Sequence, residues 1–383
     1  MSRASAAAFS GLAALAVAMG IGRFAFTPIL PMMQSDAGIG VVEGGWLASA
    51  NYVGYLLGAL TAVALPVSAG AAARLGLIAV GVTTLGMGLT TNMAAWLALR
   101  LLAGVASACV LVFASAWCLE QFQAQAPPER RARLSATLFA GVGVGIAVAG
   151  AICLALIVHG KDSTTAWTLL GVLALVAALG LPRGFGASAA VAAVAATSDR
   201  WHRESPRLIL CYGAFGFGYI IPATFISTMA RDLMRDPAHY GWSWPVFGAA
   251  AAASTFVAAR LRQRLTDRSV WIAGHLVMAL GLVMPLAWRG APGIVASALL
   301  VGGTFMVVTM AGMQEARRIS GAGARRLMAA MTSAFAAGQI AGPLAVSALA
   351  SVGLGYAAAL LAAAALLVLS AIALIPRTGE EHP

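Results

Sequence analysis

The residue in this sequence with the clearest chemical signal is an arginine inside a long apolar run. Arg23 lies in GIGRFAFTPILP, residues 20–31, within an apolar stretch from about Phe9 to Met33. A charged side chain at the centre of a membrane costs about 3 kcal/mol on insertion scales, so such residues usually face a pathway or a partner. A guanidinium binds a carboxylate through two parallel N–H bonds. We therefore expect Arg23 to anchor an anionic solute; the alternative is an arginine bonded to backbone carbonyls within a helix bundle.

Other polar and aromatic side chains could line the same cavity. Helical spacing places Gly20, Arg23 and Thr27 on one face of the first helix, and Asn51 and Tyr55 on one face of the second. For any one of them, hydrogen bonding between helices is the alternative role. The predicted solute-binding set is Arg23, Thr27, Asn51, Tyr55, Tyr219, Thr224 and Gln339.

Three charged residues are candidates for coupling or gating. Arg100 begins RLLAGVASA in the outer part of the fourth apolar run. It could take part in coupling, or it could reach the outer membrane interface. Glu120 and Glu315 follow the fourth and tenth runs, near basic residues, and lie 195 positions apart. We interpret them as members of ion pairs at an inner gate, the alternative being protonatable sites.

The remaining chemistry-bearing residues predict structural roles. Asp36 and Asp232 follow the first and seventh runs, which favours helix capping or loop ordering. His275 is expected to be packed. No spacing typical of a metal site, a phosphate loop or a catalytic triad occurs, so we predict no cofactor, no metal and no enzyme activity. The cysteines, which lie in apolar runs and are expected to pack there, are Cys109, Cys118, Cys153 and Cys211.

Composition indicates a helical membrane protein that crosses the bilayer many times. The chain has 383 residues, of which 61% are hydrophobic and 10% charged, and its mean hydropathy is +0.88. Apolar runs long enough to span a bilayer recur along its whole length. The net charge of +11 does not indicate nucleic-acid binding, because the arginines lie in short loops between these runs, where they orient the chain.

Charged and Gly/Pro clusters divide the chain into twelve predicted spans. The small, polar stretch 183–205 reads as a linker, so we predict one six-helix bundle over residues 1–182 and a second over 206–383. The spans are 9–33, 45–65, 71–91, 94–119, 132–158, 164–182, 206–230, 241–260, 269–288, 292–315, 326–350 and 353–375.

The distribution of basic residues predicts the orientation. Eighteen of the 24 Lys and Arg residues lie on the side of the two termini and the linker, and four lie on the other side. Basic residues concentrate on the cytoplasmic side of membrane proteins. We therefore expect a bacterial inner-membrane protein with both termini in the cytoplasm.

The two halves of the sequence resemble each other. A shift of 196 residues aligns Gly20 with Gly216 and also Arg23 with Tyr219, and a shift of 193 aligns Gly145 with Gly338. Matches at equivalent places in each half favour an internal repeat over chance. Two parallel repeats of six helices are the layout of major facilitator transporters.

Three stretches carry a specific resemblance. GIGRFAFTPILPMM, GWLASANYVGYLLGAL and GQIAGP resemble the bacterial YbfB/YjiJ-type branch of the major facilitator superfamily. The resemblance covers the whole chain and implies an all-α membrane protein with two pseudo-symmetric bundles. Arg100, four residues before Gly104, resembles the helix 4 motif linked to proton coupling. The sequence departs from the superfamily pattern in its reduced helix 2–3 loop, ALPVSAGAAARLG, and in lacking an acidic residue at mid-membrane.

These features predict a secondary active transporter that works by rocker-switch alternating access. The predicted cargo is a small organic anion, coupled to protons, and the predicted partners are this solute, protons and the lipid bilayer around a monomer. One alternative is an efflux pump for apolar or cationic drug-like compounds, with Arg23 structural. The other is a membrane receptor or scaffold that does not transport.

Overall fold

The described part of the chain is helical. The computed structural model describes residues 2–62, 68–180, 202–234, 236–261, 264–320 and 324–376, and no strand occurs within these ranges. The elements are α1 (Arg3–Leu15), a π-helical segment (Ala16–Ile21), α2 (Phe26–Asp36), α3 (Val41–Ala62), α4 (Ala69–Met87), α5 (Met93–Gln125), α6 (Pro128–Val158), α7 (Ser163–Gly180), α8 (Ser205–Leu233), α9 (Pro237–Tyr240), α10 (Ser243–Leu261), α11 (Asp267–Ala287), α12 (Ala291–Ser320), α13 (Ala324–Ser351) and α14 (Gly355–Ala373).

Ten helices of the described chain are long and apolar enough to cross a membrane, α1 and α2 being counted together as one span. The helices at the two other predicted spans, α3 and α10, have 22 and 19 residues but are not among the ten. The all-helical membrane class is therefore confirmed, and ten of the twelve predicted spans meet these criteria. Most of the predicted linker, 183–201, lies outside the described residues, and α8 begins at Ser205.

The first span is interrupted in its middle. The amides of Gly22 and Phe24 donate to carbonyls five residues back, at 3.1 and 2.9 Å, which marks a π-helical turn. The chain then turns before α2 begins at Phe26. The break precedes both prolines of the stretch: Pro28 lies in the first turn of α2, where a missing N–H costs nothing, and Pro31 lies inside α2.

This interruption corrects the predicted face of the first helix. Gly20 packs against the backbone of Gly145 on α6, and Thr27 donates to the carbonyl of Ala223 on α8. Arg23 lies instead against aromatic rings of α3. The three residues therefore do not share a face, because a regular helical period does not continue through a π-helical turn.

Close helix packing repeats in the two halves of the chain. A Cβ on Gly20 would overlap the backbone of Gly145, and a Cβ on Gly338 would overlap the carbonyl of Gly213 and come within 3.1 Å of Gly216. These pairs include the glycines that the shifts of 196 and 193 residues align. Small residues let helix backbones approach in this way.

Among the described helices, the first half of the chain meets the second mainly through α2 with α8, α3 with α13, and α6 with α10, and the short α9 also contacts α6. We call the end of the molecule where α2 stops the Asp36 end, and the opposite end, where α1 starts, the Arg3 end. At the Asp36 end, Arg231 donates to the carbonyl of Pro31 at 2.9 Å and Ser347 donates to that of Val42 at 3.2 Å. These bonds hold the two halves together there.

Candidate functional site

Arg23 is buried and lies among aromatic rings. Only 3% of its surface is exposed, and its Cζ lies 4.1 Å from the centroid of Tyr55 and 5.0 Å from those of Tyr52 and Phe24. Ring faces attract a guanidinium, more strongly when it is desolvated. Its Nε and Nη2 atoms have no hydrogen-bond partner, and among the described residues no carboxylate forms an ion pair with it. The site therefore holds a buried cation with free donors.

Arg100 bonds to backbone carbonyls within the helix bundle, which is the role that we gave as the alternative for Arg23. It is 2% exposed, and its Nη1 and Nη2 donate to the carbonyls of Gly22 and Arg23 at 3.4 and 3.1 Å. Its Cζ lies 4.8 Å from the ring centroid of Phe26. It does not reach the outer interface, because the break in the first span leaves carbonyls that need a donor. A part in coupling stays a prediction.

Asn51 bonds to the same break. Its Nδ2 donates to the carbonyl of Gly22 at 3.3 Å and to that of Arg100 at 2.9 Å. The alternative role in hydrogen bonding between helices is thus the one observed for Asn51. Tyr55, one turn further along α3, contacts the Arg23 guanidinium instead, together with Tyr52.

Tyr219 lies in an aromatic stack on the second half. Its ring is nearly parallel to those of Phe305 and Phe335, with centroids 5.5 Å away and interplanar angles of 7°. Gln339 Nε2 donates to its hydroxyl oxygen, and Gln339 Oε1 has no partner. The structure thus brings together Tyr219 and Gln339 from the predicted set.

Two predicted residues join the halves beside this site. Thr27 Oγ1 donates to the carbonyl of Ala223 at 2.6 Å, and the hydroxyls of Thr224 and Tyr52 lie 3.0 Å apart. Sequence reasoning missed Tyr52 and also Phe24. The i,i+3 spacing of Tyr52 and Tyr55 was the available signal for the first, and Phe24 directly follows Arg23 in the sequence.

Glu120 and Glu315 have different surroundings despite their matching positions. Glu315 is fully buried and pairs with Arg318 at 2.8 Å and with Arg268 at 3.0 Å. Glu120 is exposed. The ion pairs expected for Glu315 are therefore present, while a gating role stays a prediction. Arg268, which also pairs with Glu204, was missed because it comes from α11.

Two further residues have the structural roles that the sequence predicts. Asp36 accepts hydrogen bonds from the backbone N–H and the hydroxyl of Ser163, which orders the start of α7. His275 is fully buried and accepts a 2.8 Å bond from Trp271 Nε1. Asp232 is half-exposed and pairs with its neighbour Arg231. Within the described ranges, no group of three His, Cys, Asp or Glu residues could hold a metal ion.

Comparison with known proteins identifies the family. The family model described as "uncharacterised MFS-type transporter YbfB" matches residues 15–375, nearly the whole chain. The chain belongs to this family. The resemblance drawn from the sequence is thereby confirmed, and the family is one of transporters rather than enzymes.

Relatives of this MFS-type chain include a resistance protein and two solved transporters. The chloramphenicol resistance protein of Streptomyces lividans is 29% identical over 280 residues, covering 70% of this chain and 69% of that protein. The human organic anion transporter MFSD10 (TETRAN) has a TM-score of 0.68 at 15% identity, over 98% of this chain and 100% of that one. A point mutant of the nucleoside transporter NupG has a TM-score of 0.74 at 13% identity, over 95% of this chain and 98% of that one. At these identities the two structures support the fold alone.

Proposed function

We propose that this MFS-type chain is a secondary transporter of small organic anions, with Arg23 as the anchor for the solute. The observation that carries the proposal is the free edge of the Arg23 guanidinium. Nε and Nη2 are the two nitrogens without partners, and they lie along one edge of the planar group. That edge fits the two oxygens of a carboxylate. A buried charged group without partners is costly, so an anionic ligand would relieve that cost.

Tyr219 supplies the second contact in this proposal. Its hydroxyl oxygen already accepts from Gln339, so its own hydrogen is available to donate. The stacked rings of Phe305 and Phe335 fix the position of that hydroxyl. A carboxylate between Arg23 and Tyr219 would then touch both halves of the chain.

Contact with both halves is what alternating access requires. In our proposal, twelve spans form two bundles, over residues 1–182 and 206–383, which rock about the solute. The bonds at the Asp36 end then belong to the state that is closed there. With both termini in the cytoplasm, the Asp36 end is periplasmic, so this state is closed towards the periplasm. The proposed setting is a monomer in the bacterial inner membrane.

Proton coupling is the remaining part of the proposal. Glu120 is our proposed proton carrier because it is exposed to solvent, whereas Glu315 is fully buried. A pH-sensitive dye inside proteoliposomes should record acidification with uptake in wild type and less of it in Glu120→Gln. Equal acidification would exclude Glu120 as an obligatory carrier.

Export of drug-like compounds is the second candidate function. It is favoured by the similarity to the chloramphenicol resistance protein and by the aromatic residues around Arg23. In that case the rings would contact the compound and Arg23 would be structural.

A thermal-shift screen of the purified protein separates these candidates. A ligand that binds the folded state raises the apparent stability, by about 2.7 kcal/mol at 100 times its Kd. We expect monocarboxylates to raise the melting temperature, with amines and neutral amides of matched size as controls. If only the neutral or cationic compounds stabilise the protein, the anion proposal is wrong and export is favoured.

A further inference from the structure

A cavity at the Arg3 end is separate from the site around Arg23. It has a volume of about 330 Å³ and lies between the start of α1, the α5–α6 connection and the start of α6. Its lining combines two arginines, three hydroxyl groups and apolar side chains. The residues that matter here are Arg130, Arg133, Ser2, Ser5, Thr137 and Phe9.

The two arginines in this cavity are available to a ligand. Their neighbour Arg131 is already engaged, since its Nε donates to the carbonyl of Ala126 and its Nη2 to that of Gln123, both at 2.9 Å. The guanidinium groups of Arg130 and Arg133 form no hydrogen bond or ion pair with a described residue. Two unpaired guanidinium groups on adjacent turns of α6 form a site for a phosphate-sized anion.

The hydroxyl groups of the cavity differ in what they can offer. Thr137 Oγ1 already donates to the carbonyl of Arg133 at 3.0 Å. Ser2 and Ser5 share one hydrogen between their hydroxyl oxygens, which lie 2.9 Å apart. The serine pair therefore keeps one hydrogen that it can donate to a ligand.

The cavity lies on a face of α6 that is apolar and exposed further along the helix. Thr137 and Val148 are eleven residues apart, which is about three helical turns, so they lie on one face of α6. Val148 is 53% exposed, in the apolar part of that face. Phe9, on the cavity wall, is 54% exposed. A large exposed apolar side chain beside two cations matches the boundary between lipid headgroups and acyl chains.

We propose that this cavity binds an anionic glycerophospholipid of the surrounding membrane. The lipid phosphate lies between Arg130 and Arg133, with the serine pair as a further donor. The glycerol and the first part of an acyl chain pack against Phe9. Basic pockets of membrane proteins bind such headgroups through the charge of the lipid.

The chemistry favours a lipid over a free phosphate ion. A free phosphate would use the arginines and hydroxyls but would leave Phe9 exposed. Zwitterionic lipids offer the same apolar contact without a net negative charge. The proposal therefore predicts that the affinity depends on both the anionic headgroup and the apolar chain of the lipid.

Native mass spectrometry of the purified full chain with added lipid tests the proposal. The probes are phosphatidylglycerol and phosphatidylcholine with the same acyl chains. The test variant is Arg130→Gln/Arg133→Gln. The matched control is Arg260→Gln/Arg264→Gln, which removes the same charge from exposed residues at the end of α10 and in the turn after it. Phe9→Ala probes the apolar contact.

We expect wild type to prefer phosphatidylglycerol and the test variant to bind it roughly thirtyfold more weakly, since each arginine near a membrane surface contributes about one factor of five. The control should bind like wild type, and Phe9→Ala should bind more weakly. Equal losses in the test and control variants would overturn the proposal, because binding would then follow total charge. Displacement of the lipid by an equal concentration of inorganic phosphate would also overturn it, since the site would then be one for the free ion.

Discussion

Arg23 and Arg100 are both buried within apolar spans, yet their partners differ. Arg100 donates to two carbonyls at the break in the first span, and only its Nε has no partner among the described residues. Arg23 has two nitrogens without partners and lies against aromatic rings. A buried arginine held by two carbonyls stabilises the protein, whereas one with two unused donor nitrogens is better suited to a ligand.

This difference predicts opposite effects on stability. Arg100→Gln should lower the free energy of unfolding by about 1.5–3 kcal/mol, because hydrogen bonds from a charged group to buried carbonyls are lost. Arg23→Gln, its matched control, should leave stability unchanged or raise it, since a buried charge is removed. The measurement is the melting temperature of both variants without ligand. A larger fall for Arg23→Gln than for Arg100→Gln would show that Arg23 is structural.

At this scale the sequence indicated the charge but not its surroundings. An arginine in an apolar run is visible in the sequence, and so was Tyr55. The bonds of Asn51 and Arg100 depend on the break in the first span, which leaves the carbonyl of Gly22 for both. No repeating pattern of residues in the sequence marks the break, so these contacts could be seen only in the structure.

At the scale of helices, glycines position the broken first span. Gly20 and Gly145 bring the π-helical segment against α6, and Gly216 and Gly338 bring α8 against α13. Close contact on one side of the segment leaves Arg23 to face α3. The contact of Gly20 with Gly145 therefore helps to position the Arg23 guanidinium.

Substitution of one such glycine should destabilise the protein. In Gly145→Ala the new Cβ would overlap the backbone of Ala16, which cannot move as a side chain can. Overpacking of this kind costs about 1–3 kcal/mol. Gly303→Ala on α12 is the control, because nothing lies within 4 Å of its Cβ position, and alanine is the better helix former by up to about 1 kcal/mol. Equal melting temperatures of the two variants would contradict this account of the packing.

Helix positions could be predicted from the sequence better than helix ends. Apolar runs locate the spans because the bilayer sets their length. The ends depend on polar residues that continue a helix beyond the apolar part: α5 continues to Gln125, past the predicted 119, and α12 to Ser320, past 315. Hydropathy does not detect such extensions.

At the scale of the whole molecule, the two halves are joined by bonds from side chains to backbone carbonyls. Arg231 is the charged member of this set, with its Nη1 on the carbonyl of Pro31 at 2.9 Å at the Asp36 end. Ser347 and Ser49 form similar bonds to the carbonyls of Val42 and Ile340. Alternating access requires such bonds to break when this end opens.

Removal of the Arg231 bond should therefore favour the open form of that end. We expect Arg231→Gln to lengthen the distance between spin labels at Ala37→Cys and Val352→Cys, both exposed at the Asp36 end, in a background without the native cysteines. Arg289→Gln is the control, since it removes the same charge from an exposed loop residue at this end. Identical distance distributions in the two variants would show that the Arg231 bond does not hold the end closed.

Part of this organisation could be predicted and part could not. The shift of 196 residues that aligns the halves also relates Thr27 to Ala223, which bond to each other across the two halves. The difference between Glu120 and Glu315 was not predictable, because Arg268, a partner of Glu315, is distant in sequence. Sequence symmetry indicates which helices correspond, whereas the contacts made at each position depend on the neighbours.

The central claim is that Arg23 holds an anionic solute during transport. The most direct test is counterflow in proteoliposomes loaded with the carboxylate that stabilises the protein best, comparing wild type, Arg23→Lys and Arg23→Ala. We expect labelled carboxylate to accumulate in liposomes with wild type. It should accumulate less with Arg23→Lys, because lysine lacks the planar fork of the guanidinium. With Arg23→Ala the half-saturating carboxylate concentration should rise roughly ten- to a hundredfold, because a contact worth ~1.5–3 kcal/mol is lost. Equal half-saturation in wild type and Arg23→Ala, with both proteins folded, would contradict the claim.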